Sequence, residues 1–163
     1  MKRFHVTAAA LLALAGASAS AAALGPLDLS SGSTGFANTP IAGPFTDTFT
    51  FTVTAPSFLI GSVTSVVSGS QNVDFSGIFI SGPSGTFGFA KLNPDPFEFW
   101  VTSSPGFALG AGSYTLSLIG TNSAAIGSYG GNLAISVVPE PQTLALLCGG
   151  LGVVGFLASR RKR

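Results

Sequence analysis

The chain has few of the residues that do chemistry. It holds one histidine and one cysteine in 163 residues, and only 8% of its residues are charged. His5 sits among the first ten residues and Cys148 in an apolar run near the C-terminus, so the long middle region has neither. Ser-His-Asp and Cys-His nucleophile systems cannot be assembled there, nor can zinc sites of His and Cys. No disulfide can form within the chain, so folding rests on burial even in an oxidising compartment. Arginine is also missing from the middle region, where Asp28, Asp47, Asp74, Asp95 and Glu98 stand against Lys91 alone. Such an acidic segment has no electrostatic footprint for nucleic acid. No Asn-x-Ser/Thr acceptor for N-linked sugar occurs.

What is present is an apolar, glycine-rich composition, 46% hydrophobic with 22 glycines, which fits one small domain with extra apolar material at its ends. Residues 1–23 carry Lys2 and Arg3, an apolar stretch from Val6 to Ala15, and then small residues. This is the layout of a secretory signal peptide, and both Ala19-Ser20-Ala21 and Ala21-Ala22-Ala23 offer the small side chains that signal peptidase requires. The segment 138–163 is its counterpart. An uncharged run from Leu144 to Ala158 would be roughly 22 Å long as a helix, short of a ~30 Å hydrocarbon core. Flanking residues that snorkel extend it, and a single transmembrane helix is expected over 143–159. The basic tail of Arg160, Arg161, Lys162 and Arg163 would hold the C-terminus in the cytoplasm while the signal peptide sends the domain out.

Pro139, Glu140 and Pro141 stand before that run. The two prolines fix φ, remove two backbone donors and bias the preceding residues towards extended conformations. The outcome is a stiff strip at the membrane face, suited to a protease pocket. Together, Pro-Glu-Pro, a glycine-bearing span and a terminal basic cluster behind a signal peptide resemble the bacterial PEP-CTERM sorting signal. The resemblance implies processing by exosortase, a membrane-embedded cysteine transpeptidase, with Pro139, Glu140 and Pro141 as the recognised motif and residues 160–163 as the stop. It also implies passage from the inner membrane to the cell surface or a polysaccharide-rich biofilm matrix. It covers the last 26 residues and implies no activity for the rest.

The ectodomain, 24–137, reads as all-β. In Phe45 to Ala55 threonines occupy every second place (Thr46, Thr48, Thr50, Thr52, Thr54) and alternate with Phe45, Phe49, Phe51 and Val53. Period two in β-branched and aromatic residues marks a half-buried strand. Similar runs follow at Phe58–Val67, Val73–Ser81, Phe87–Leu92, Phe97–Thr102, Ser113–Thr121 and Gly131–Val138, separated by turn sequences rich in Gly, Pro, Asn and Asp. Short strands at such spacing predict a small antiparallel β-sandwich, with no helix outside the terminal segments.

Asp47 interrupts the apolar face of the first of these strands, where a carboxylate is costly unless paired or hydrogen-bonded. Phe45, Asp47 and Phe49 also resemble the F-x-D-x-F signature of one group of PEP-CTERM proteins. The structural reading places the carboxylate at the strand's start, accepting turn N–H groups. The alternative is a Ca²⁺ ligand, but the other acids lack calcium-loop spacing, and no metal or cofactor is expected. Asp95 and Glu98 form a carboxylate pair of the kind glycosidases use, yet their setting in Pro94-Asp95-Pro96 reads more simply as a turn. Trp100, Tyr114 and Tyr129 are candidates for stacking on sugar rings. Tyr114 belongs to an alternating core run, whereas Trp100 shares the parity of Glu98 and Thr102 and either faces outward or fills the space between strands. The expectation is therefore a non-catalytic, exported surface or matrix protein, the alternative being a carbohydrate-binding module for the host's exopolysaccharide through Trp100.

Overall fold

The structure is a computed structural model, which describes residues 20–40, 42–69, 72–123, 127–138 and 141–160, without the side chains of 141–144 and 156–158. Most of the expected signal peptide, together with Pro139, Glu140 and the basic residues 161–163, lies outside the described residues.

Among the described residues, eleven strands and one helix follow each other along the chain. They are β1 (Ser20–Pro26), β2 (Ser33–Asn38), β3 (Gly43–Val53), β4 (Ser57–Val66), β5 (Val73–Gly82), β6 (Gly85–Gly88), β7 (Ala90–Asn93), β8 (Phe97–Val101), β9 (Phe107–Leu109), β10 (Gly112–Asn122) and β11 (Tyr129–Val137), then α1 (Pro141–Arg160). The strands form two sheets, one ordered β1-β3-β10-β5-β6 and the other β2-β11-β4-β8-β7, with β9 also paired to β4. The fold is the expected all-β sandwich. All described pairings are antiparallel except one: β1 runs parallel to β3.

The core follows from strand parity. On β3, Phe45, Phe49, Phe51 and Val53 turn inward, and the neighbouring β10 adds Tyr114, Leu116 and Leu118. From the opposite sheet come Phe36, Leu59, Val63, Tyr129 and Leu133. Full burial of such side chains stabilises the fold by about 1.5–3 kcal/mol each before entropy is charged. Ring contacts join the layers: Phe36 and Phe49 lie 5.0 Å apart, and Phe45 stacks on Tyr129 at 6.1 Å. Gly131 is required beside them, because a Cβ there would come within 2.5 Å of both the Phe36 ring and the Ser62 carbonyl oxygen.

Two expectations need correction. Phe87–Leu92 is not one strand, because the chain leaves the first sheet after Gly88 and enters the second at Ala90. Phe89 anchors this crossing with its ring in the core and its N–H donating to the Ile78 carbonyl oxygen at 2.9 Å. The parallel β1 was also unforeseen. Its sequence, SAAALGP, has no apolar alternation, and it pairs because β10 occupies only one side of β3.

Candidate functional site

Asp47 lies within β3, opposite Leu118 of β10 and Ala22 of β1. Its parity carries the carboxylate into the core, where it is 2% exposed. Oδ2 accepts hydrogen bonds from the Tyr129 hydroxyl at 2.6 Å and from Asn38 Nδ2 at 2.8 Å. Both donors are side chains of the other sheet, rather than turn N–H groups. The Phe45-Thr46-Asp47-Thr48-Phe49 sequence thus forms a polar pin between sheets, with Phe45 and Phe49 buried on either side. Burial, and then the bond to Asp47, push the Tyr129 hydroxyl's pKa well above the tyrosine range.

A second polar group gathers at β7 and β8. Glu98 is fully buried; its Oε1 pairs with Lys91 Nζ at 2.5 Å, while Oε2 accepts from the Phe75 N–H at 3.0 Å. Lys91 also lies 5.8 Å over the Trp100 ring. Trp100 itself is a correction to the sugar-contact expectation. It shares the inward face of β8 with Glu98 and is 8% exposed, while Phe97, on the opposite parity, is 60% exposed. Tyr114 and Tyr129 are buried as well, so none of the three rings forms an outward stacking platform.

Asp95 does not converge with Glu98 as a pair in one open site. It stands on the surface, where Asn72 Nδ2 bridges Asp74 at 2.8 Å and Asp95 at 3.1 Å. Desolvation and the neighbouring Asp95 charge raise the Asp74 pKa above the ordinary carboxylate value.

The threonine row has a partner that the sequence alone did not reveal. Register places Thr48 opposite Ser117, Thr50 opposite Thr115 and Thr52 opposite Ser113, which makes a two-strand field of hydroxyls on the outer face. Because β1 ends at Pro26, opposite Thr50, whereas β3 continues to Val53, a cleft of about 520 Å³ opens beside this field. Thr50, Thr52, Thr54, Ser113, Asp28 and Ser30 supply its polar lining. Leu27, Leu29, Phe51 and Ile135 supply apolar surface. The Ser30 N–H donates to Asp28 Oδ1 at 2.9 Å and holds the Asp28 pKa below the ordinary carboxylate value.

The last strand passes almost directly into the tail. The Val138 N–H donates to the Pro56 carbonyl oxygen at 2.9 Å, and α1 begins at Pro141, where a proline's missing N–H costs no helical bond. Residues 137–162 match the family model of the PEP-CTERM protein-sorting motif. The chain carries a PEP-CTERM sorting motif. A motif of this kind implies an exported protein of the bacterial cell envelope that is processed by exosortase. The match leaves out Phe45, Asp47 and Phe49. Helix α1 covers the residues 143–159 expected to span the membrane. Among the described residues, no helix is long and apolar enough to cross a membrane, and the side chains of 156–158 lie outside them.

No curated protein matches the sequence. Solved structures similar to the chain include the pre-peptidase C-terminal domain of collagenase from Bacillus anthracis, at 14% identity and a TM-score of 0.39, covering 73% of this chain and 97% of that one. Another is PliG from Aeromonas hydrophila, a periplasmic inhibitor of g-type lysozyme, at 15% identity and a TM-score of 0.36, covering 73% of this chain and 100% of that one. At these scores neither likeness bears on what this chain does.

Proposed function

We propose that the chain is a non-catalytic protein of the cell surface or extracellular matrix whose β-sandwich is the delivered part. Signal peptidase removes the leader, α1 holds the precursor in the inner membrane, and exosortase acts at Pro139-Glu140-Pro141 to release the sandwich towards the surface. The observation that carries this reading is where the sorting motif starts. It begins at Val137, the last residue of β11, and among the described residues every buried apolar residue of the core lies between Leu29 and Leu133. Removing the tail therefore takes nothing from the core. The absence of histidine and cysteine from 24–137, and the use of Asp47 and Glu98 as internal partners, support a structural role for the sandwich.

The test compares the wild type with a Pro139→Ala/Glu140→Ala/Pro141→Ala variant in an exosortase-bearing host, by intact mass and cell fraction. The wild type is expected to lose its tail and leave the inner membrane while the variant keeps both its tail and its place. If both keep the tail, the reading is refuted.

A second reading, sugar binding, is favoured by one observation: the uncharged hydroxyl field beside a cleft with apolar surface. Hydroxyls placed to exchange hydrogen bonds with a polyol, next to apolar side chains that can cover its C–H face, suit a segment of exopolysaccharide. The contact then belongs to Thr50, Thr52 and Ser113 rather than to Trp100.

A further inference from the structure

Unbroken strand parity would put Phe79 on the same face of β5 as Phe75, in the core. A bulge prevents it. β10 pairs Ile119 with Gly77 and the next residue, Gly120, with Phe75, so Ser76 is left over in the ladder, its hydroxyl donating to the Ile119 carbonyl oxygen at 3.2 Å. One extra residue reverses the faces beyond it. Ile78 and Ile80 therefore fill the core, both 0% exposed, and Phe79 is turned to the outer face, where it is 39% exposed. The ring lies back along the sheet rather than standing off it. A Cβ on Gly77 would fall 2.5 Å from Phe79 Cε2 and 2.7 Å from Cζ, so only glycine leaves room for this placement. The other edge of the ring borders the exposed backbone of Gly88, its cross-strand partner on β6.

The surroundings of this ring are hydroxyls. Ser117 of β10 stands opposite Phe79, and the next row across the sheet is Thr86, Ser81, Thr115 and Thr50, which joins the ring to the hydroxyl field beside the cleft. With strands ~4.8 Å apart, Thr50 is two strands, or about 10 Å, from the line of β5, a span that a short run of sugars covers. Lys91, the sole cation of the sandwich, belongs to the other sheet, and Asp74 is exposed on β5 itself, so an anionic polymer meets no counter-charge here. A second copy of the chain is a poor occupant too, since it would desolvate rows of hydroxyls to cover one ring. We infer that Phe79 is the stacking platform of a binding site for an uncharged hexose polymer, its ring under the C–H face of one sugar while the hydroxyls of Ser81, Thr115 and Thr50 exchange hydrogen bonds with the neighbouring units. This inference rests on the sugar-binding reading, and it adds the residue that stacks and the class of polymer.

The experiment is titration calorimetry of the full chain, held in a detergent without a sugar headgroup, against soluble β-glucan, galactomannan and dextran, with alginate as the anionic contrast. At least one neutral polymer is expected to bind, and alginate is not. Phe79→Leu, which keeps apolar bulk but has no flat face, should weaken binding about tenfold, whereas Phe79→Tyr should keep it. Gly88→Val, which raises a branched side chain beside the ring on the outer face, should weaken binding as well, and urea midpoints followed by Trp100 fluorescence show that each variant is folded. If Phe79→Leu and Gly88→Val bind like the wild type while Thr50→Val/Thr52→Val/Ser113→Ala does not, the platform is overturned and the sugar-binding reading stands. Binding to none of the four polymers overturns both, and tightest binding to alginate overturns the uncharged class.

Discussion

Replacing Tyr129 with phenylalanine removes one oxygen atom from the core and tests what the Asp47 pin contributes. The ring remains to stack on Phe45 at 6.1 Å and to meet Phe75 at 5.3 Å, so the apolar packing is kept. What is lost is the 2.6 Å bond from the Tyr129 hydroxyl to Asp47 Oδ2, which leaves that oxygen with the 2.8 Å bond from Asn38 Nδ2. A hydrogen bond to a charged group contributes about 1.5–3 kcal/mol, and because the carboxylate oxygen keeps its Asn38 donor the lower part of that range applies. A loss of about 1.5–2 kcal/mol is expected, a sizeable share of the ~5–15 kcal/mol that holds a typical domain together. The corresponding fall in Tm is on the order of 10 °C. The chain's single tryptophan, Trp100, is buried and reports unfolding in urea by fluorescence. The midpoint should fall with the slope unchanged, since the surface exposed on unfolding is the same. A triple variant, Asn38→Leu/Asp47→Leu/Tyr129→Phe, should recover part of the loss, because removing all three polar partners leaves none of them stranded. A loss below about 0.5 kcal/mol in Tyr129→Phe would refute the reasoning and make Asp47 indifferent to its partner.

The same hydroxyl sets an alkaline limit. Its folded pKa is raised, so above tyrosine's ordinary value near 10 the unfolded chain loses a proton that the native chain keeps; stability should fall as pH rises there, and Tyr129→Phe should lose this slope in urea titrations. Asp74 works in the acid range with the same sign: the native state holds its proton to higher pH than the unfolded state. Stability should therefore decline as pH rises from the ordinary carboxylate value of 3.8, and Asp95→Asn should flatten the decline. Gly131→Ala should cost about 1–3 kcal/mol by overpacking, as its new methyl meets Phe36 and the Ser62 carbonyl, measurable as a lower urea midpoint. A Thr50→Val/Thr52→Val/Ser113→Ala variant should weaken binding of purified exopolysaccharide at least tenfold in titration calorimetry if the hydroxyl field is the contact surface. Equal binding by the two proteins would remove that surface from consideration.

Local pattern was enough to place β3, β4, β5, β10 and β11, because each alternates apolar and polar side chains across several residues, and such alternation has one stable outcome when an apolar face must be buried. It was also enough to place Asp47 on the core side, since parity along a strand is a local property. The sorting motif was legible for the same reason: Pro-Glu-Pro, the apolar run and the basic tail are read as a linear order, with no folding needed.

Partnership across sheets was beyond that reach. Tyr129 and Asn38 meet Asp47 only once β3, β2 and β11 are set in their sheets, and nothing local to any of them names the others. Trp100 shows the same limit from the other side. Its strand carries large apolar residues on both parities, so alternation could not say which face is buried. The answer came from Lys91 on β7, which neutralises Glu98 and lets that parity turn inward. β1 had no pattern at all and owes its strand to the free edge of β3. The sequence by itself thus determined the fold class and the tail's address, because both are written in near-neighbour order. Only the tertiary structure decided which polar groups meet and which rings are covered, because those depend on pairings between residues far apart in the chain.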